Sequence, residues 1–219
     1  PLDDLNIRHQ VLTFLVAGHE TTSGLLTFTL YFLLRNPHVL ARAYAEVDRV
    51  LPGDTVPEYR HLAQLDVIER VLKESLRMWP TAPAFMVAPY EDEVIGGRYR
   101  LPRNQGISIH LPSLHRDPKV WDSPDVFDID RFLPENEAKI HPHGYKPFGN
   151  GQRACIGRQF ALTEAKLALA MILQRFALYD PHDYRLDIKE TLTLKPDHFY
   201  LRVRRRKEHD RLVTHTASS

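Results

Sequence analysis

Cysteine is nearly absent from the sequence: Cys155 is the only one among 219 residues. An internal disulfide therefore cannot form, which fits a reducing compartment, and we expect a cytoplasmic protein. A structural zinc site is disfavoured too, because it needs several cysteine or histidine ligands at short spacing. Any chemistry of this thiol therefore involves no second cysteine of the chain.

An excess of charge of one sign is also absent. The chain has 29 basic and 28 acidic residues, and this balance predicts no nucleic-acid partner. The first ten residues lack both the basic head and the apolar run of a signal peptide. What is present is globular: 43% of the residues are hydrophobic, enough for the core of one medium domain or of part of a larger one.

Apolar residues at helical spacing predict three helices in the first third of the chain. The first runs from Leu5 to Arg35 and is apolar nearly all round, so we expect it to be buried. A membrane span is the rival interpretation, which we disfavour because the ionisable His19 and Glu20 lie at its middle. We therefore expect no transmembrane segment. The other two helices are predicted at residues 38–51 and 66–78.

Short strands and an irregular segment are predicted next. Runs rich in β-formers lie between Pro83 and His110, broken by proline, glycine and asparagine, and Gly96-Gly97 is typical of a hairpin turn. Residues 117–151 have little periodicity. So long an irregular segment inside a compact protein tends to be functional when it is ordered.

The C-terminal part predicts one more helix, at residues 158–176, followed by short strands at 191–194 and 199–203. Residues 206–219 are expected to form a solvated tail or the start of a linker. The fold class is therefore mainly α with small β-sheets. No shift in composition marks a domain boundary, so we assign residues 1–205 to a single unit.

Cys155 lies in a flexible, basic loop, FGNGQRACIG, at residues 148–157. A nearby cation and the N-terminal end of a helix both favour a thiolate. Arg153 is two residues away, and the last helix is predicted to begin near Gly157. Gly149 and two further glycines allow unusual backbone dihedrals and let a flat group approach closely.

Three interpretations of this thiol remain open on these observations. A lone cysteine is usually a small buried hydrophobe. A nucleophile needs an oriented histidine base; His141 and His143 are close in sequence, but no known nucleophile signature surrounds Cys155. The role of sole protein ligand to a haem iron fits a single thiolate best.

The loop resembles the haem-binding signature F-x-x-G-x-R-x-C-x-G of the cytochrome P-450 superfamily, the haem-thiolate monooxygenases. Its five fixed positions are met by Phe148, Gly151, Arg153, Cys155 and Gly157. The resemblance implies a P-450 fold, of which this chain carries the portion from the long central helix through the haem-thiolate loop to the last helix. It also implies haem b as the cofactor and O2 as a substrate.

Two other motifs resemble the family in its own order. Residues 17–22, AGHETT, resemble the A/G-G-x-D/E-T-T/S stretch of the central helix that passes over the haem. Glu74 and Arg77 match the E-x-x-R motif, and Arg131 falls where the family supplies the arginine that completes an ion cluster. The family usually reads P-E-R-F there, whereas residues 129–132 read IDRF, so the neighbouring contacts differ.

The sequence is similar, more closely, to the bacterial, soluble, self-sufficient fatty-acid hydroxylases, in which a flavin reductase follows the haem domain. This similarity rests on AGHETTSGLL, LRMWPTAPAF, KPFGNGQRACIG and DIKETLTLKP. It implies an aliphatic substrate, a fatty acid by expectation, and electrons from NADPH through the FAD and FMN of a fused or separate reductase. It covers only the C-terminal half of the haem domain, so we expect the chain to be a fragment.

The resemblance also implies roles for individual residues around the cofactor. Cys155 would be the axial ligand, Arg153 would pair with a haem propionate and Phe148 would pack by the thiolate. Gly149 and Gly157 would allow close approach of the haem.

On the opposite side of the haem the resemblance implies a small residue, Ala17, where the central helix passes close to the porphyrin. Thr21 and Glu20 resemble the pair that delivers protons during oxygen activation. The remaining implied residues fall into an apolar substrate pocket and a structural ion cluster. The pocket residues are Phe14, Ala82, Ala84 and Leu192, and the cluster residues are Glu74, Arg77 and Arg131.

A second function class stays open beside the monooxygenase. A truncated gene would give a non-catalytic haem or lipid binder that keeps the thiolate loop. The intact acid-threonine pair at residues 20 and 21 favours the enzyme, because a pure binder has no need for proton delivery.

Overall fold

Helices dominate the computed structural model, which describes residues 2–207. The four long helices begin and end within one residue of their predicted positions. Two short 3-10 turns, Ile129–Phe132 and Gly151–Arg153, lie in the C-terminal half. In chain order the helices are α1 (Asp4–Arg35), α2 (Pro37–Val50), α3 (Tyr59–Leu62), α4 (Asp66–Met78), α5 (Leu111–Leu114), α6 (Pro134–Glu137) and α7 (Arg158–Arg175).

The described strands pair into small antiparallel sheets of two strands each: β1 with β4, β2 with β3, β5 with β8, and β6 with β7. The expected class, mainly α with small sheets, is confirmed. Gly96 and Gly97 join β2 to β3 with φ of +60° and +71°, backbone values that only glycine adopts readily. The strands are β1 (Ala84–Val87), β2 (Glu93–Ile95), β3 (Tyr99–Leu101), β4 (Ile107–His110), β5 (Phe176–Tyr179), β6 (Ile188–Glu190), β7 (Leu194–Pro196) and β8 (Arg202–Arg205).

Two details of the C-terminal sheets differ from the prediction. The strands expected at 191–194 and 199–203 begin about three residues later, as β7 and β8. The strands β5 and β6 were not predicted. In the case of β5, the strand follows α7 directly, and no proline or glycine marks where the helix ends. Phe176 already has extended backbone dihedrals and pairs with Arg205 on β8.

Only the C-terminal half of α1 is buried, so the prediction of a wholly buried helix is wrong. From Thr22 to Leu33 it packs against α2, α4, α7 and β7. The described elements do not cover its first turns, and Leu12 and Leu15 are more than half exposed. Among residues 2–207, no helix is long and apolar enough to cross a membrane.

The core lies between α1, α2, α4 and α7, and α4 is its most enclosed helix. Leu65 precedes α4 and offers no side-chain oxygen to cap it. Glu46 of α2 serves instead: its carboxylate accepts hydrogen bonds from the backbone N–H groups of Val67 (2.8 Å) and Ile68 (3.0 Å). Two of the free donors that every helix N-terminus presents are thereby satisfied. Burial raises the pKa of this carboxyl.

Arg77 and Glu74 form a fully buried ion pair on α4. Nε and Nη2 of Arg77 donate to the two carboxylate oxygens of Glu74 at 2.7 and 2.8 Å. The remaining donors reach the carbonyl oxygens of His115 (2.9 Å), Pro124 (2.8 Å) and Val126 (3.1 Å). The irregular segment therefore packs around one guanidinium group.

The carboxylate of Glu74 also binds the same segment. Its Oε1 accepts the backbone N–H of Asp128 at 2.9 Å and lies 3.5 Å from Nε of Arg131. Nη2 of Arg131 donates to the carbonyl oxygen of Ser123 at 2.8 Å. The adjacent Asp130, which stands in place of the family's usual glutamate, forms ion pairs with Arg42 and Arg70 instead.

The predicted solvated tail, 206–219, lies outside the described residues except for its first two. Arg206 is only 6% exposed, so the prediction is wrong at that position. Its guanidinium group pairs with Asp48 at 2.7 Å, donates to the carbonyl oxygen of Leu173 and lies over the ring of Tyr44. The fold therefore includes the chain at least as far as this residue.

Arg77→Lys should destabilise the protein strongly. Lysine keeps the charge but cannot supply the forked donors, so Glu74 and several buried carbonyl groups lose partners, at a cost of about 3 kcal/mol in the free energy of unfolding. Urea denaturation measures this. Arg100→Lys is the matched control, because its ion pair with Asp92 is largely exposed and should change stability by less than about 1 kcal/mol. Equal losses in the two variants would contradict the assignment.

Candidate functional site

The cysteine loop is shaped by its backbone. The N–H of Cys155 donates to the carbonyl oxygen of Phe148 at 2.8 Å, which closes the loop on itself. Between them, Gly149 and Gly151 have φ of +75° and +64°, in the left-handed region that side chains disfavour. The sequence predicted this use of glycine at both positions.

Cys155 is exposed, so the interpretation of a small buried hydrophobe is wrong. The helix α7 begins three residues later with Gly157 at its N-cap, as the sequence predicts. The first N–H groups of a helix have no partner within the helix and carry partial positive charge. A Cβ atom at Gly157 would lie 3.9 Å from the sulfur, an ordinary contact. This glycine is therefore not required to make space beside the sulfur in this conformation.

Arg153 brings a cation to the same loop. With Gly149 it lines a cavity of about 740 Å³ whose opposite wall is formed by strands β1 and β4. That wall is largely apolar and includes Phe85, Met86 and Ile109. Cys155 is exposed in the same loop, although it is not among the residues that line this cavity. A thiol for the metal, a guanidinium group for a carboxylate and an apolar surface are what a flat, apolar, carboxylate-bearing metal macrocycle requires. The residues present therefore fit a haem.

Phe148 is half-buried and packs against the core from the other end of the loop. The guanidinium group of Arg158, the first residue of α7, lies 5.6 Å above its ring. A cation held over an aromatic face is stabilised by the ring quadrupole. This contact joins the start of the loop to the helix that follows it.

The α1 motif presents a hydroxyl and a carboxylate at adjacent positions. Oγ1 of Thr21 donates to the carbonyl oxygen of Ala17 at 2.7 Å, one turn earlier. Such back-bonding loosens a helix locally. Glu20 instead faces the β6–β7 sheet, where Nζ of Lys195 lies 3.0 Å from its carboxylate and Oγ1 of Thr193 lies 3.4 Å away. The Lys195 ammonium group holds the pKa of this carboxyl below its usual range.

The predicted substrate-pocket residues are all exposed: Phe14, Ala82, Ala84 and Leu192. Leu192 lines a cavity of about 430 Å³ against the Glu20 side of α1, and the lining of that cavity does not include the other three. The structure therefore does not bring these four residues together around one cavity. Their shared role stays a prediction.

The two halves of the site are linked through helix packing, because α7, which follows the cysteine loop, packs against α1. The predicted ion cluster lies elsewhere, on α4 and the irregular segment, where Glu74 contacts both Arg77 and Arg131. It does not line the cavities described above.

Sequence reasoning missed the partners of Glu20. Thr193 and Lys195 are two residues apart, and this spacing places them on one face of an extended segment. That alternation was the available signal. Their pairing with a carboxylate more than 170 positions earlier depends on how β7 packs on α1, which no local pattern shows.

Comparisons with known proteins agree with the geometry. The sequence model of the family described as Cytochrome P450 matches residues 1–203. The chain is 54% identical over 210 residues to the Bifunctional cytochrome P450/NADPH--P450 reductase 1 of Bacillus subtilis (strain 168), which covers 94% of this chain and 19% of the relative. It is 52% identical over 207 residues to the Self-sufficient cytochrome P450 monooxygenase CYP505E3 of Aspergillus terreus, and this match covers 94% of this chain and 20% of the relative.

A solved structure, the crystal structure of cytochrome P450DA heme domain, superposes with a TM-score of 0.94 at 63% identity and covers 96% of this chain and 47% of that chain. The chain thus spans about half of that haem domain and about a fifth of the length of the curated relatives. The resemblance that rested on the three motifs is confirmed by the match over nearly the whole chain. The protein belongs to the cytochrome P450 family.

Proposed function

We propose that this chain supplies the thiolate-bearing half of a haem monooxygenase domain in a self-sufficient enzyme. The enzyme would insert an oxygen atom from O2 into an apolar aliphatic substrate of the fatty-acid class. Electrons would come from NADPH through an FAD- and FMN-containing reductase, in the cytoplasm. One observation carries the proposal: an exposed thiol at the N-terminal end of α7, in a loop whose Gly149 and Arg153 line a cavity with an apolar wall.

Cys155 is proposed as the residue that would bind the haem iron. Bound there, the haem would supply oxygen activation, which electron donation from a thiolate favours. The hydrogen bond from the N–H of Cys155 to Phe148 fixes the backbone that carries the sulfur, and the N-terminal end of α7 would favour a thiolate bound to the iron. Arg153, on the cavity wall, would bind a carboxylate of the macrocycle.

Thr21 and Glu20 are proposed to deliver protons. The Thr21 hydroxyl donates to Ala17, so both of its lone pairs remain free to accept from water. The adjacent Glu20 carboxylate forms a polar cluster with Lys195 and Thr193. A protein that only bound haem would have no use for this arrangement, which favours the enzyme over the non-catalytic binder.

Glu74, Arg77 and Arg131 are proposed as scaffold. The first two are fully buried and Arg131 nearly so, and they contact the irregular segment rather than the proposed cofactor cavity. Removing one member of a buried ion cluster leaves an uncompensated charge. Substitutions there should therefore reduce the yield of folded, haem-loaded protein without changing which substrate it oxidises.

Cys155→Ser should abolish the thiolate signature. In the reduced carbon monoxide complex of the haem-loaded full gene product, the red-shifted Soret band should be present in the wild type and lost in the variant, because a serine oxygen is a poorer electron donor than a thiolate. His141→Ala is the control, since it removes an exposed histidine of the neighbouring segment, and it should keep the band. Retention of the band in Cys155→Ser would contradict the proposal.

Thr21→Ala should uncouple electron consumption from product formation. Without the hydroxyl, proton delivery loses its ordered acceptor, and the ratio of product formed to NADPH consumed should fall at least severalfold. Thr27→Ala is the matched control, because Thr27 makes the same back-bond, to the Ser23 carbonyl at 2.7 Å, about two turns further along α1. If both variants kept the wild-type ratio, the role of Thr21 would be rejected.

A further inference from the structure

His115 is a fully buried histidine that the proposed function does not use. It lies directly after α5, and its backbone is held at both ends: its N–H donates to the Leu111 carbonyl at 2.8 Å, and its own carbonyl accepts from Nη1 of Arg77 at 2.9 Å. Its ring packs 5.3 Å from the ring of Tyr145. Both backbone and ring are therefore fixed by neighbours.

The protonation state of the ring follows from its partner. The backbone N–H of Lys146 donates to Nε2 of His115 at 2.9 Å. An amide can only donate, so Nε2 must be unprotonated and the ring proton must sit on Nδ1. Nδ1 is directed towards the backbone carbonyls of Leu76 and Arg77, without a hydrogen bond of normal geometry. His115 is thus a neutral hydrogen-bond acceptor inside the protein.

Lys146 lies two residues before the cysteine loop. Its carbonyl accepts the N–H of Gly149 at 3.0 Å, and the carbonyl of Phe148 accepts the N–H of Cys155 at 2.8 Å. The hydrogen bond that the His115 ring accepts from Lys146 therefore holds the backbone that leads into the loop and, through the loop, Cys155.

The residue before Lys146 is attached to α4. The hydroxyl of Tyr145 donates to the carbonyl of Lys73 at 2.9 Å. Of these two consecutive residues, Tyr145 bonds α4 directly through its side chain, and Lys146 bonds the His115 ring through its backbone amide. Because the His115 carbonyl is held by Arg77, the loop, the irregular segment and α4 meet at this histidine.

We propose that His115 is a positioning residue for the cysteine ligand: its Nε2 anchors the residue just before the loop to a segment that Arg77 of α4 holds, and so keeps the Cys155 backbone in its ligating position. This rests on the proposed role of Cys155 as the haem ligand. Loss of the acceptor leaves the partly buried Lys146 N–H without a partner, which is unfavourable. The loop then shifts to satisfy it, and the sulfur shifts with the loop.

Side-chain geometry provides a graded test. The terminal group of glutamine is as many bonds from Cβ as Nε2 of histidine, whereas that of asparagine is as near as Nδ1. His115→Gln can therefore still accept from Lys146, while His115→Asn and His115→Leu cannot. His110→Leu is the control: it removes an exposed histidine that bonds only Ser113 (2.8 Å) in the same segment.

The measurement is the rate at which the carbon monoxide complex of the haem-loaded full gene product loses its thiolate-type band on mild warming, with far-ultraviolet circular dichroism recorded in parallel. We expect the Asn and Leu variants to lose the band about tenfold faster than wild type, at unchanged helix content. The Gln variant and His110→Leu should stay close to wild type.

Two results would overturn the proposal: equal rates in all His115 variants and the wild type, or a Gln variant as fast as the Leu variant. Absence of the band in the wild type would instead reject the role of Cys155 itself. If the variants do not fold, amide exchange in the wild type decides. The Lys146 N–H should exchange slowly, and exchange at the rate of an exposed amide would overturn the proposal.

The pH dependence gives an independent prediction. Burial, with smaller contributions from the Arg77 and Arg116 cations, lowers the pKa of His115 to about 4, and Tyr145, the other titratable group against the ring, is neutral. The unfolded chain binds this proton below pH ~6.5, so the stability due to neutral His115 is complete above that pH and is lost as the pH falls towards 4. Between these values His115→Gln should lose less unfolding free energy than wild type; equal losses would contradict the buried neutral state.

Discussion

Satisfying the buried guanidinium group of Arg77 is the constraint on which the rest of the structure depends. An unpaired cation in a protein interior is very costly, so its donors must all find acceptors. One side is taken by Glu74 and the other by carbonyls of a segment with little regular structure. That segment has few hydrogen bonds of regular secondary structure. Its contacts with the ion pair therefore hold it in place, as strand pairing holds a sheet together.

From Arg77, a series of hydrogen bonds leads to the cysteine loop. The carbonyl of His115 is held by Arg77, its ring holds Lys146 just before the cysteine loop, and the loop closes on Cys155 through Phe148. The exposed thiol is therefore connected to the buried core by contacts that range from fully buried at Arg77 to partly buried at Lys146. A site built in this way can be open to a cofactor on one side and rigid on the other.

Local sequence patterns predicted the elements that depend only on residues close together in the sequence. The apolar period and the proline stops placed α1, α2 and α4, and paired glycines placed the β2–β3 turn. The signature around Cys155 picked out the loop that is proposed to bind the haem. The exposure of the first turns of α1 could not be predicted, because an all-round apolar helix shows its hydrophobicity but not its neighbours. The same holds for Glu20 with Lys195 and for His115 with Lys146: each contact joins elements far apart in sequence, and only packing brings them together.

The ion pair between Glu20 and Lys195 has a consequence for proton transfer along the proposed path. The hydrogen bond from the Lys195 ammonium group and its positive charge hold the pKa of this carboxyl below its usual range, which favours the ionised form. In the proposed path, Glu20 would therefore have to take each proton from solvent before passing it on. Water access to the Glu20 side of α1 would then limit the supply of protons.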